Sequence, residues 1–250
     1  MNCGERCVPR RAFNLRTMLT QPDHLAEAEA AFGRADWLGH PAASLLLGVL
    51  LERRGAWIGA IAAYRRSDQR GEVEGTFRLG RLLAGRGELT EAEGALRRAD
   101  ERGHSAAAAE LGALLQGRGD ASGAESAYRR ADDRGEADAA FHLGAMLAQR
   151  NDLAGAEAAL RRADARDHPS GASNLGMLLE ARGDLAGAEA AYRRADQRGD
   201  AAGALNLGGL LAERSDFAGA MAAYCRAADR GDAELTEMAH AALSYLPQAA

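Results

Sequence analysis

The 250-residue chain contains no lysine, so all 31 of its basic side chains are arginine. Aromatic residues make up only 5% and proline occurs five times. A core built on large rings is thereby excluded. With 30 glycines and abundant alanine, helices must approach one another through small residues. The three cysteines, at positions 3, 7 and 225, are too few and too unevenly placed for a disulfide framework. No run approaches the roughly 18 apolar residues of a membrane span, and the first residues lack the apolar core of a secretory leader. A cytoplasmic location, with no membrane partner, is the expectation. The net charge of −5 is spread in mixed signs, which gives no general attraction to nucleic acid or lipid. The lysine-free, Ala-, Gly- and Arg-rich composition reads as a gene of high GC content, which points to a bacterial source.

What the chain does have is a period. An aromatic or leucine ahead of the Arg-Arg pairs recurs at Phe32, Tyr64, Leu96, Tyr128, Leu160, Tyr192 and Tyr224, every 32 residues. Leu-Gly pairs keep the same step, from Leu47-Gly48 to Leu207-Gly208, and so do Arg54, Arg86, Arg118, Arg150, Arg182 and Arg214. Three markers in phase over six copies establish a repeat. With position 1 at Val73, residues 41–232 hold six units. Residues 1–8 read as an N-terminal extension and 9–40 as a degenerate first repeat. Residues 233–250 read as a C-terminal capping helix stopped by Pro247, since terminal units of repeat arrays are atypical.

Each unit reads as two helices. In residues 169–200, Ala172, Leu175, Leu178 and Leu179 form an apolar helical stripe. Gly183 follows as a left-handed C-terminal cap, with Arg182 at the carbonyl end. Asp184 is then a good N-cap for a second helix whose stripe is Leu185, Ala188, Tyr192 and Ala195. Gly199 ends that helix and Asp200 caps the next. Pro41 and Pro169 are expected at the first residue of their helices. Glu-to-Arg pairs four residues apart, such as Glu93–Arg97 and Glu189–Arg193, support the second helices. No alternating strand pattern occurs.

The unit from Val73 places Thr76 at position 4, Leu79-Gly80 at 7 and 8, Leu83 at 11, Ala92 at 20, Leu96 at 24 and Ala99 at 27. In this spacing the chain resembles the tetratricopeptide repeat superfamily. Glycine at 8 and alanine at 20 would let paired helices touch closely. The unit is two residues shorter than the common one of about 34, and its inter-unit turn (RRADQRGDAAGALNLG) is similar to that of the Sel-like variety. The resemblance implies an all-α, right-handed α-α superhelical solenoid of helix-turn-helix repeats. It also implies a non-enzymatic scaffold that binds a peptide or helix in a concave groove lined by positions 2, 5, 6, 9 and 12 of the first helices. Those positions carry Leu45, Phe77, Arg78, Arg81, Ala109, Glu110, Phe141, His142, Ser173, Asn174, Met177, Leu205 and Asn206. The copies differ there while the framework does not. Equally open is that Phe77, Phe141 and Leu205 simply pack. The family's carboxylate clamp for chaperone tails needs lysines, which this chain lacks.

Other candidates carry competing readings. The Arg-Arg pairs, with Arg70, Arg102, Arg134, Arg166, Arg198 and Arg230, form either a phosphate-tracking stripe or a face neutralised by Asp68, Asp100, Asp132, Asp164 and Asp196. No aromatic interleaves with them to stack bases, which favours the second and makes nucleic acid an unexpected partner. His40, His104 and His168 recur every 64 residues, too far apart to share a metal. They are expected at helix starts; His142 and His240 are isolated. Cys3 and Cys7 lack the further ligands of a zinc site, and Cys225 is expected as an exposed thiol. No nucleophile elbow, phosphate loop or His-Glu zinc motif occurs, so neither catalysis nor a cofactor is expected. Trp57 is expected in the core. Trp37-Leu38 is either covered by the N-terminal residues or a contact for another molecule. A self-assembling array, stacking through this pair or the C-terminal helix, is the remaining reading.

Overall fold

The computed structural model describes residues 25–246 apart from Pro41. Among the described residues there are fourteen α-helices and no strand. The chain divides into two compact units, Met1–Gly119 and Asp120–Ala250. The first holds α1 (Leu25–Trp37), α2 (Ala43–Arg53), α3 (Trp57–Gln69), α4 (Val73–Gly85), α5 (Leu89–Glu101) and α6 (Ala107–Gly117). The second holds α7 (Ala121–Asp133), α8 (Ala137–Gln149), α9 (Leu153–Ala165), α10 (Gly171–Ala181), α11 (Leu185–Gln197), α12 (Ala201–Glu213), α13 (Phe217–Arg230) and α14 (Ala233–Tyr245). The first helix expected from residues 9–40 lies outside the described residues, as do Cys3, Cys7 and Pro247.

Within each unit, sequence neighbours pack in pairs: α2 on α3, α4 on α5, α8 on α9, α10 on α11 and α12 on α13. Small residues make this possible. Ala60, Ala92, Ala156, Ala188 and Ala220 are all 0% exposed. A methyl group placed on Gly176 would lie 2.5 Å from the Tyr192 ring, and one on Gly80 would lie 2.7 Å from Leu96. The glycine therefore sets the helix separation, and the ring or leucine at position 24 fills the space it leaves. Tyr64 and Tyr192 are buried and donate their hydroxyls to Glu52 at 2.5 Å and to Glu180 at 2.6 Å. Each fully buried leucine, such as Leu79 or Leu83, contributes about 1.5–3 kcal/mol.

The turn chemistry follows the sequence where aspartate is present. Gly183 has φ +82°, and Asp184 accepts from Gly187 N at 2.9 Å. Asp120, Asp152 and Asp216 do the same. Asn151 and Ser215 occupy the left-handed turn position that is glycine in the sister copies.

Three expectations need correction. Pro169 is not the first residue of α10, which starts at Gly171 after a turn closed by Gly171 N to His168 O at 3.0 Å. First helices preceded by histidine (α2, α6 and α10) have 11 residues, whereas α4, α8 and α12, with Glu72, Glu136 and Asp200 at the N-cap position, have 13. His104 and His168 thus lie in a turn ahead of the helix start. Trp57 is not core: it is 43% exposed, and its counterparts Leu89, Leu185 and Phe217 are 41%, 42% and 39% exposed. Each is the first residue of its helix, where side chains lean towards the N-terminus and over the turn instead of into the interface. Trp37 and Leu38 are 86% and 75% exposed; the segment expected to cover them lies outside the described residues.

Candidate functional site

The arginine face resolves into a ladder of clamps. The buried carboxylate of Asp132 accepts Arg162 Nη2 at 2.5 Å and Arg166 Nη1 at 2.6 Å. Asp164 accepts Arg194 at 2.7 Å and Arg198 at 2.6 Å, and Asp196 accepts Arg226 at 2.6 Å and Arg230 at 2.9 Å. In the first unit Asp36 holds Arg66 and Arg70, and Asp68 holds Arg98 and Arg102. The partners are 30 and 34 residues apart, so each aspartate at the end of one second helix is gripped by two arginines of the next. Burial alone would raise the Asp132 carboxyl, but the hydrogen bonds and charges of Arg162 and Arg166 outweigh it and hold it below the usual carboxylate range. Asp36, Asp68 and Asp196 are lowered in the same way. Arg97, Arg129, Arg161 and Arg193 turn to a glutamate one turn back, whereas Arg65, with Ile61 at that place, reaches Glu91. These guanidiniums are committed inside the array.

The histidines clamp as well. His104 stacks on Phe77 with centroids 3.9 Å apart, and its Nε2 lies 3.2 Å from Glu74. His168 repeats this in the second unit, stacked on Phe141 at 4.3 Å with Asp138 at 3.5 Å. Burial pulls His168 below its ordinary value, and neighbouring His142 pushes the same way against Asp138. Sequence reading missed this pairing, although the shared 64-residue spacing of the histidines and of Phe77 and Phe141 carried it. His142 stacks on Tyr128 at 5.2 Å. Among the described residues, no group of three or more His, Cys, Asp or Glu side chains could hold a metal. Cys225 is exposed.

The first-helix face, taken unit by unit, is of mixed accessibility. In the first unit Phe77 is buried under His104, whereas Leu45 and Ala109 are half-buried. Arg78 reaches Glu74 at 2.5 Å, and Arg81 stands 5.8 Å over the Phe77 ring with Glu110 at 3.4 Å. Arg78 and Arg81 also line an open cleft of about 390 Å³ beside Trp57, Leu82, Glu52 and Arg86. In the second unit Ser173 is buried and donates to Ser170 O at 3.2 Å. Asn174 donates an amide N–H to the same oxygen at 2.9 Å. Phe141, His142, Leu205 and Asn206 are half-buried, and Met177 is 54% exposed. Phe77 and Ser173 therefore support the face from beneath, while the others reach its surface.

No helix among the described residues is long and apolar enough to cross a membrane. No family model matches the sequence, and no curated protein matches it. Solved structures do. A protective antigen of uropathogenic Escherichia coli, c5321, which displays an SLR fold, aligns with TM-score 0.58 and 22% identity over 86% of this chain. This chain spans about half of that one, 47%. YrrB, a tetratricopeptide protein with an unusual peptide-binding site, aligns with TM-score 0.54 and 22% identity over 73% of this chain and 98% of its own. The C-terminal part of a tetratricopeptide repeat-containing protein from Cytophaga hutchinsonii aligns with TM-score 0.63 and 11% identity over 91% and 97%. The chain has the all-α helix-turn-helix repeat fold of tetratricopeptide-like and Sel-like solenoids.

Proposed function

We propose that this chain is a non-enzymatic interaction scaffold, holding a peptide or helix of a partner protein on the face of its first helices. The observation that carries this reading is where the copies differ. The framework positions repeat, whereas positions 6 and 9 of the first-helix face change from Arg78 and Arg81 to His142 and Ala145, then to Asn174 and Met177. Recognition by such a face needs surface contact and no cofactor. The fold alone is shared with YrrB, a tetratricopeptide protein that has a peptide-binding site. The basic ladder offers little free charge, because its arginines are paired with aspartates such as Asp68, Asp132 and Asp164.

The test is capture from the native cell with the full chain and a Met177→Arg variant. Met177 is 54% exposed, so the change leaves the core alone and the melting curve should not move. Loss of a co-purifying protein supports the scaffold reading. Unchanged recovery of every partner would sink it.

A second reading, self-assembly, is favoured by the exposure of Trp37 and Leu38 at 86% and 75%. Light scattering of the wild type against Trp37→Glu decides it, since a strict monomer at high concentration removes that role.

A further inference from the structure

We propose that the cleft beside Trp57 in the first unit is a subsite for an acidic peptide segment of a partner protein. This rests on the reading of the first-helix face as the partner surface and names the chemistry it would select. The cleft, about 390 Å³, opens between the start of α3 and the second half of α4, with Glu52, Trp57, Arg78, Arg81, Leu82 and Arg86 on its walls.

Positive charge gathers here because the repeat breaks. Arg54, Arg118, Arg150, Arg182 and Arg214 each pair with a glutamate 25 residues earlier: Glu29, Glu93, Glu125, Glu157 and Glu189. Counting back from Arg86 reaches Ile61, which is 7% exposed in the hydrophobic core and offers no carboxylate. Arg86 settles for Glu88, two residues on, at 3.6 Å. Arg81 is held comparably loosely, 3.4 Å from Glu110 with its side chain 60% exposed. Exposed pairs of this length contribute little, because water screens the two charges. An incoming carboxylate can therefore replace them with two-pronged, charge-assisted hydrogen bonds at little cost.

The remaining walls choose between anions. Trp57, 43% exposed, and Leu82 give an apolar surface for a side chain next to the acidic one. No sister copy carries tryptophan at this position. Glu52 shares the cleft and accepts Tyr64 Oη at 2.5 Å. A peptide backbone N–H can donate to that carboxylate, whereas a phosphodiester backbone has no donor to offer and would be repelled. The ladder arginines that could have continued a phosphate track are occupied by Asp36 and Asp68.

The experiment is fluorescence anisotropy on the full chain with a fluorescein-labelled peptide of alternating Glu and Leu. Its Gln–Leu counterpart and a labelled oligothymidylate serve as comparisons. The Glu–Leu peptide should bind roughly tenfold more tightly than the Gln–Leu peptide, as expected for losing a charge-assisted pair. Arg81→Ala and Arg86→Ala should each weaken it several-fold, and Arg193→Ala, an exposed arginine of α11, should not. Ile61→Glu, which restores the missing partner of Arg86, should weaken it as well; the alanine variants keep the test intact if that change unfolds the chain. No binding, equal affinity for both peptides, or an equal loss in Arg193→Ala overturns the proposal. Tight binding of oligothymidylate through Arg86 overturns it in favour of phosphate. Loss of partner capture in Met177→Arg together with indifference to the Glu–Leu peptide would leave the scaffold reading standing and remove only this subsite.

Discussion

Arg166 lies 34 residues beyond Asp132 and meets it at 2.6 Å, so the carboxylate at the end of one second helix is held by the next. Asp132 is 2% exposed and is also bonded by Arg162. Replacing it with alanine leaves two guanidiniums facing a gap at the junction between repeats. Because both arginines are partly exposed, with side chains at 43% and 28%, water recovers part of the loss. Asp132→Ala should lower stability by about 1–3 kcal/mol, read as a shift in the midpoint of urea unfolding at unchanged slope.

The same clamps set the acid limit. Asp36, Asp68, Asp132 and Asp196 have folded-state values below the ordinary one, because arginine hydrogen bonds and charge, joined by hydrogen bonds from Ser44 at Asp36 and Thr76 at Asp68, outweigh the opposing effect of burial. A depressed carboxylate adds stability that is fully present above its unfolded value, about 3.9, and is lost as pH falls through the folded value. Acid unfolding should therefore set in below about pH 4. A chain with all four residues changed to asparagine should be less stable at neutral pH and should show a shallower loss in that acid range.

Gly176 and Gly33 are both helical glycines, yet they should respond oppositely to added bulk. A Cβ on Gly176 would lie 2.5 Å from the Tyr192 ring, whereas one on Gly33 meets nothing within 4 Å among the described residues. Gly176→Val should destabilise by about 1–3 kcal/mol through overpacking. Gly33→Ala should stabilise by roughly 0.5–1 kcal/mol through helix propensity. Thermal unfolding of the two variants checks both signs.

The contrast between those glycines was half legible in the sequence. Gly176 belongs to a Leu-Gly pair that recurs every 32 residues, and that recurrence pointed to close helix approach. The Asp184 cap was equally visible, because capping is local chemistry. Longer-range consequences were harder to read. That Arg162 and Arg166 grip Asp132 follows from separations of 30 and 34, two residues either side of one repeat, which only the packed turn converts into contact. Trp57 misled because an apolar residue in phase looks like core until its place at the helix start is known. The Arg86 site was hidden in an absence: Ile61 stands where four later copies have glutamate.

His168 gives a second, milder pH signature. Burial lowers its value from the ordinary 6.5, so the unfolded chain binds the proton more readily than the folded one. Stability should then fall as pH drops below about 6.5, above the range where the aspartates act. The stack on Phe141 at 4.3 Å suits a neutral ring. His168→Phe should keep an aromatic contact and remove this component, so that wild type and variant diverge as pH falls below about 6.5. A slope identical in both proteins would assign the effect elsewhere.

Ala56 precedes α3 in the same backbone conformation that the aspartate caps adopt. Its φ and ψ are −83° and 62°, against −81° and 72° for Asp184. Asp184 accepts the Gly187 N–H, but Ala56 has no side-chain oxygen to offer the Gly59 N–H at the matching place. The turn is thus already shaped for a cap that the residue cannot supply. Ala56→Asp should satisfy that donor and place a negative charge at the positive end of the helix, for a gain of about 1 kcal/mol. The gain should shrink below about pH 4, where the new carboxylate is protonated. Denaturant unfolding at pH 7 and pH 3 measures both: a midpoint that does not rise at pH 7 would show that this turn gains nothing from an acceptor.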